Sequence, residues 1–324
     1  MSKKNFNQAK KILPFIGITI FIFLIYNLDV GEIIDAFLSI PPIYIIISAF
    51  LTIPVLIIRN YAWQLVQKEQ KIKIPYFQSL KIHLIGYFYG TISPGYIGQL
   101  IKVPHMKEHT GEPYGKLFIN VFIDSVIRTL SLYVMMVIGG LIIIGLFPEL
   151  FYITVIWIII LIIILLYFIK KERGEKLLYS LVKYFTPKKL RNHLNRFIDT
   201  FYKDFPSIKR LIFPLILGGF TWIIIFTQEY IIVLALGLDI PYLYFLLLYP
   251  IANAAGFIPI SFAGLGVREY TAILLFSTFF SIEGEKIFVL SLMGFLITTV
   301  LKGFIGFLLS LTETRKTGLI QHTQ

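Results

Sequence analysis

A chain of 324 residues that is 57% hydrophobic and 16% aromatic, with a mean hydropathy of +0.80, holds more apolar surface than a soluble core of this length requires. Several of its runs reach the roughly 20 apolar residues that cross a bilayer core, so it reads as an all-α, polytopic membrane protein. Its net charge of +12 fits loops facing anionic lipid rather than nucleic acid, and the absence of cysteine excludes disulfides, thiolate metal sites and cysteine nucleophiles.

Lys3, Lys4, Lys10 and Lys11 precede the first apolar run, 12–28. No small-residue cleavage site follows Tyr26, so this run is expected to remain as the first span. An acidic loop with Asp29, Glu32 and Asp35 leads to a span at 43–66. The next apolar stretch, 76–106, has Gly and Pro at its centre and does not read as one clean span. Spans are expected at 117–147 and 150–169. Segment 170–210 alternates bases with Leu177, Leu178, Leu181, Val182, Phe197, Ile198 and Phe201, which predicts amphipathic helices on the cytoplasmic leaflet. A span at 211–236, a second Gly/Pro stretch at 242–280 and a last span at 286–311 complete the chain.

Basic and acidic loops alternate if there are six full spans, both termini are cytoplasmic and the protein lies in the cell membrane. Each Gly/Pro stretch must then enter and leave on one side, as a re-entrant hairpin. A fully crossing pair of short helices would leave the same loop charges. GTISPGYIGQLIK (Gly90 to Lys102) also lies over GFIPISFAGLGVR (Gly256 to Arg268) at one spacing, 166 residues (268 − 102). These patterns predict a single membrane domain, 1–324, with half-repeats at 12–147 and 150–311. An odd number of crossings per half inverts the second half, and paired interrupted segments in inverted halves point to a transporter's central site.

An ionisable side chain within a span costs about 2.5–3.5 kcal/mol on insertion scales and needs a partner or a wet cavity. Arg59, Asp124, Arg128, Glu229, Lys302, Arg268 and Glu269 are such residues. Asp124 and Arg128 are four apart, acid first, a spacing that predicts an ion pair of structural or functional use. Lys302 is expected to snorkel toward the cytoplasm, and Glu229 to partner Arg59 or Arg268. In the hairpins, Pro94, Gly95, Gly98, Pro259, Gly264 and Gly266 bend the chain and let backbones approach. Arg268 beside a helix N-terminus forms a corner suited to phosphate, with Lys102 its counterpart in the first half. Glu269 either pairs with Arg268 or meets a cationic headgroup; the plainer reading is that the two residues cap and anchor the hairpin. The histidines form no metal motif, and no nucleotide or catalytic constellation appears, so no cofactor is expected.

YGTISPGYIGQLIKVPHM, FINVFIDSVIRTLSLYV and FIPISFAGLGVREYTAILLF resemble the membrane region of lysylphosphatidylglycerol synthases, which also occurs alone as a flippase-like family. Pro259, Gly264, Gly266, Arg268 and Glu269 match the family's most specific pattern. The first hairpin matches at Pro94, Gly95, Gly98 and Lys102 but has Tyr96 and Gln99 where the family often has Arg and Glu. The resemblance implies a lipid flippase-like transporter, and without the synthases' soluble domain it implies no aminoacyl transfer. The expected partners are membrane lipids: an anionic or zwitterionic phospholipid, or a polyprenyl-phosphate lipid. The alternatives are a membrane-embedded enzyme acting on a lipid phosphate, or a scaffold subunit beside a lipid-modifying enzyme. A homo-oligomer fits any of them.

Overall fold

The computed structural model describes residues 15–144, 206–257 and 260–321, with isolated positions between 148 and 163. The expected span at 150–169, apart from those positions, and the amphipathic segment at 170–210, up to residue 205, lie outside the described residues. So does Pro259.

Among the described residues the regular structure is helical. Helix α1 (Phe15–Asn27) turns through 94° into α2 (Val30–Leu38). The expected acidic loop after the first span is therefore largely helix. Asp29 starts α2 by accepting from the backbone N–H groups of Gly31 (2.7 Å) and Glu32 (3.1 Å), two donors that have no partner within the helix. Helices α3 (Pro42–Phe50) and α4 (Thr52–Glu69) run on as one 28-residue segment. Pro42 sits in its first turn, where a missing N–H costs nothing.

The first Gly/Pro stretch folds as α5 (Tyr76–Thr91), a turn, a 3-10 segment (Ile97–Ile101) and α6 (Lys102–Thr110). Helix α7 (Tyr114–Ile143) follows, then α8 (Ile208–Ala235). The second stretch folds as α9 (Tyr242–Ala255), a turn and α10 (Val267–Phe280). Helix α11 (Gly284–Phe295) passes through a π turn (Leu296–Val300) into α12 (Leu301–Gln321).

Among the described residues, four segments are long and apolar enough to cross a membrane: Pro42–Glu69, Tyr114–Leu141, Lys209–Ala235 and Gly284–Thr312. The bent α1–α2 pair makes a fifth if it is one span. The arms α5 and α9 have 16 and 14 residues. At the helical rise of ~1.5 Å per residue they reach about 24 and 21 Å, short of the ~30 Å hydrocarbon core.

These short arms are enclosed by the long helices. Helix α5 packs against α12, α9 against α7, and α4 against α8. The main apolar core gathers Leu132, Phe226, Phe245, Tyr249, Phe276 and Leu290 between α7, α8, α9, α10 and α11. The outward faces carry exposed Ile46, Phe50, Phe220, Leu243 and Phe304, as a lipid-facing surface requires.

Inside this frame the two Gly/Pro turns meet. Pro94 and Phe262 form an isolated antiparallel bridge, and the Tyr96 ring lies 5.4 Å from that of Phe257. The turns need left-handed backbone at Gly95 and Tyr96 in one, and at Ala263, Gly264 and Gly266 in the other. Gly264 also sits where a Cβ would come within 2.9 Å of the Gly256 backbone. Helix α1 braces the second turn, with the Gly17 N–H donating to the Ile260 carbonyl at 2.8 Å.

Candidate functional site

Arg268 occupies the first turn of α10 and is 4% exposed. Its Nη2 donates to Glu269 Oε1, its Nε donates to Ser291 Oγ at 3.2 Å, and the guanidinium lies 4.9 Å over the Phe295 ring. The other oxygen of Glu269 accepts from the Gly266 N–H at 2.6 Å. This is one half of a capping box; Gly266 has no side chain to return the second bond. The Arg-Glu pair therefore anchors the hairpin, and Arg268 still presents an edge to the cavity described below.

The counterpart corner in the first hairpin is closed. Lys102 is 1% exposed and donates to Asp124 Oδ2 at 3.1 Å, with His83 Nδ1 at 3.4 Å and the Trp63 ring at 4.8 Å. Its stem lies on Gly86, where a Cβ would come within 2.7 Å of Lys102 Cε. Lys102, expected as a second phosphate corner, thus has its charge matched by Asp124 and is not among the residues that line the cavity described below. The expected Asp124–Arg128 pair is also absent, because the α6 start brings Lys102 to the carboxylate first.

Arg128 points elsewhere. Its guanidinium lies 5.4 Å from the Tyr96 ring and 5.6 Å from the Phe257 ring, held between the two turns. With its amide oxygen turned inward, Gln99 accepts from Arg128 Nη1 and Nη2 at 3.1 and 3.2 Å. Arg128 Nε is buried without a partner. Tyr96 and Gln99, where the first hairpin departs from the family pattern, are thus the residues that hold this arginine.

Between the turns lies a cavity of about 50 Å³ whose lining includes Arg59, Arg128, Arg268 and Lys302. Among the described residues no carboxylate lines it. Lys302 does not snorkel: it is 4% exposed, with Nζ 5.0 Å over the Tyr87 ring. The π turn just before it adds Thr298 and Thr299 to the lining. Such local widening of a helix recurs at functional sites. Glu229 stands behind this wall, 1% exposed, with Oε1 3.5 Å from Thr298 Oγ1 and Oε2 unpartnered. Among the described residues it ion-pairs with neither Arg59 nor Arg268, the two expected partners.

Of the expected site residues, the cavity therefore brings together Arg59, Arg128 and Arg268. Glu229 lies one residue behind it. Pro94, Gly95, Gly98, Gly264 and Gly266 shape the turns, while Lys102, Asp124 and Glu269 support from within. Sequence reasoning singled out Lys302 as a lone charge in the last span but gave it to snorkelling rather than to the cavity, and missed Tyr96 and Gln99 as holders of Arg128.

No curated protein matched the chain in a sequence search. The family model described as "Lysylphosphatidylglycerol synthase TM region" matches residues 12–306. The chain is therefore a multi-pass membrane protein of the lysylphosphatidylglycerol synthase transmembrane-region family, related to lipid modification or transport.

Proposed function

We propose that this protein moves a lipid with a phosphate-bearing headgroup between the leaflets of the cell membrane, without chemical change to the lipid. One observation carries the reading: a cavity lined, among the described residues, by four cations and no carboxylate lies among apolar helices where two interrupted segments meet. Charges in such a setting need a counter-ion, and arginine holds phosphate oxygens through two parallel donors. The acyl chains remain in the bilayer while the headgroup occupies the cavity.

In this reading the protein has six full spans, two re-entrant hairpins and cytoplasmic termini, with its second half inverted on the first. Packing supports the pseudo-symmetry. At the spacing of 166 residues α5 corresponds to α9, and α7 to the α11–α12 segment. The observed contacts α5 with α12 and α9 with α7 are then equivalent, and α4 with α8 is the pair across the axis. Lys102 and Arg268 correspond, as do their neighbours His83 and Tyr249. Alternate opening of the two halves around a shared site is the motion this arrangement favours.

The test is lipid flipping by the purified protein in proteoliposomes, followed by quenching of headgroup-labelled lipid from outside. Wild type is expected to expose inner-leaflet label, and Arg268→Ala to slow this at least about tenfold, the loss of one charge-assisted contact of ~1.4 kcal/mol. Equal rates in the two proteins would remove Arg268 from the path. No flipping of any phosphate-bearing lipid, with or without ion gradients, would overturn the reading.

A further inference from the structure

The charges around the two hairpins do not balance, and the imbalance has a definite size. Lys102 is matched by Asp124, and Arg268 by Glu269. Arg59, Arg128 and Lys302 remain, each lining the cavity and none in an ion pair among the described residues. Among the described residues, one carboxylate stands against these three cations: Glu229, which makes no ion pair there. The unmatched charge is +2 with Glu229 ionised and +3 with it neutral.

Size narrows the occupant further. A water needs roughly 10–15 Å³ of such space. The cavity of about 50 Å³ therefore takes a few oxygens, the size of one phosphate group. A phosphodiester brings one negative charge and two free oxygens. A phosphate monoester brings about −1.5 to −2 at neutral pH and three terminal oxygens. Arg128 Nε, buried and unpartnered, is a donor still in want of an acceptor.

We infer that the three-cation seat of Arg59, Arg128 and Lys302 is built for a terminal phosphate monoester dianion, and that it discriminates against phosphodiester headgroups and against headgroups carrying an added cation. A lysyl headgroup would bring positive charge to a wall that already has it in excess. This inference rests on the transport reading for the location of the site, but it concerns what binds, not whether the lipid crosses.

The experiment titrates the purified full-length protein in neutral detergent with dioleoyl phosphatidic acid, dioleoyl phosphatidylglycerol or inorganic phosphate, reading the shift in thermal unfolding. Wild type is expected to bind phosphatidic acid about tenfold more tightly than phosphatidylglycerol, one ion-pair contact's difference. That preference should fall to about onefold in Arg128→Gln and in Lys302→Met. Either variant serves if the other does not fold, as the ligand-free transition reports. Equal binding of the two lipids by wild type would overturn the inference. So would a preference unchanged in both variants. Inorganic phosphate displacing phosphatidic acid at equal concentration would support the seat and make the soluble ion its occupant. The two readings fail separately: flipping of phosphatidylglycerol without a monoester preference sinks only this inference. Selective binding of phosphatidic acid without flipping sinks only transport.

Discussion

At the residue scale, the buried cations divide by whether an acid already meets them. Lys102 and Asp124 are joined at 3.1 Å with 1% and 8% of their side chains exposed, so removing one partner strands the other in a medium that solvates it poorly. Lys102→Met is expected to cost about 3–5 kcal/mol, and Lys102→Met/Asp124→Leu to recover most of it. Thermal unfolding in detergent compares the two; a double variant as unstable as the single one would argue against a charge-stranding cost. Lys302→Met should behave in the opposite way, losing ligand binding with little loss of ligand-free stability. It removes a cation that no carboxylate meets, and with it part of the excess charge. The Asp124–Arg128 spacing shows why the sequence misleads at this scale. Four residues apart places two side chains on one helix face, but it cannot register a third group delivered from another helix. Lys102 arrives from α6 and takes the acid, leaving Arg128 for the Tyr96 and Phe257 rings.

At the element scale, interruption was more legible than packing. Gly and Pro at the centre of two apolar stretches mark where helices must break, and both breaks are there, between α5 and α6 and between α9 and α10. The role of α1 was not legible, since an apolar run looks the same whether it faces lipid or braces a turn. Nor was the π turn, which has no composition signature; it stands directly ahead of Lys302, a residue whose burial the sequence could not supply. Gly266 joins these levels. It holds φ +85°, and a Cβ there would collide with the Gly17 carbonyl of α1. Gly266→Ala should therefore lose about 1–2 kcal/mol from the left-handed backbone alone, and more from displacing α1. Hydrogen exchange measures the second part: amides of residues 15–27 should lose protection well before those of α8. Uniform loss across both helices would mean that Gly266 stabilises the whole bundle rather than this one contact.

At the scale of the molecule, the proposed inversion makes a demand that no single residue does. If each Gly/Pro stretch is re-entrant, the two ends of one hairpin share a side of the membrane. If the halves are inverted, the two hairpins use opposite sides. The ends can be marked at Lys73 and Glu108 for the first hairpin and at Asp239 and Glu283 for the second, all exposed. With no cysteine in the chain, a single cysteine at each position is the lone reactive thiol. A membrane-impermeant maleimide applied to intact cells should label Asp239→Cys and Glu283→Cys, and should label Lys73→Cys and Glu108→Cys only after the membrane is opened. Lys73 and Glu108 reporting opposite sides would turn the first hairpin into a full crossing, and all four reporting one side would remove the inversion. The distinction matters for mechanism. The cavity lies between the turns, so hairpins entering from opposite faces give each leaflet its own short route to the same cations, and a small movement of either hairpin opens one route without opening the other. Two hairpins entering from one face would give the cations a single route, and a headgroup could then bind without any path to the far leaflet.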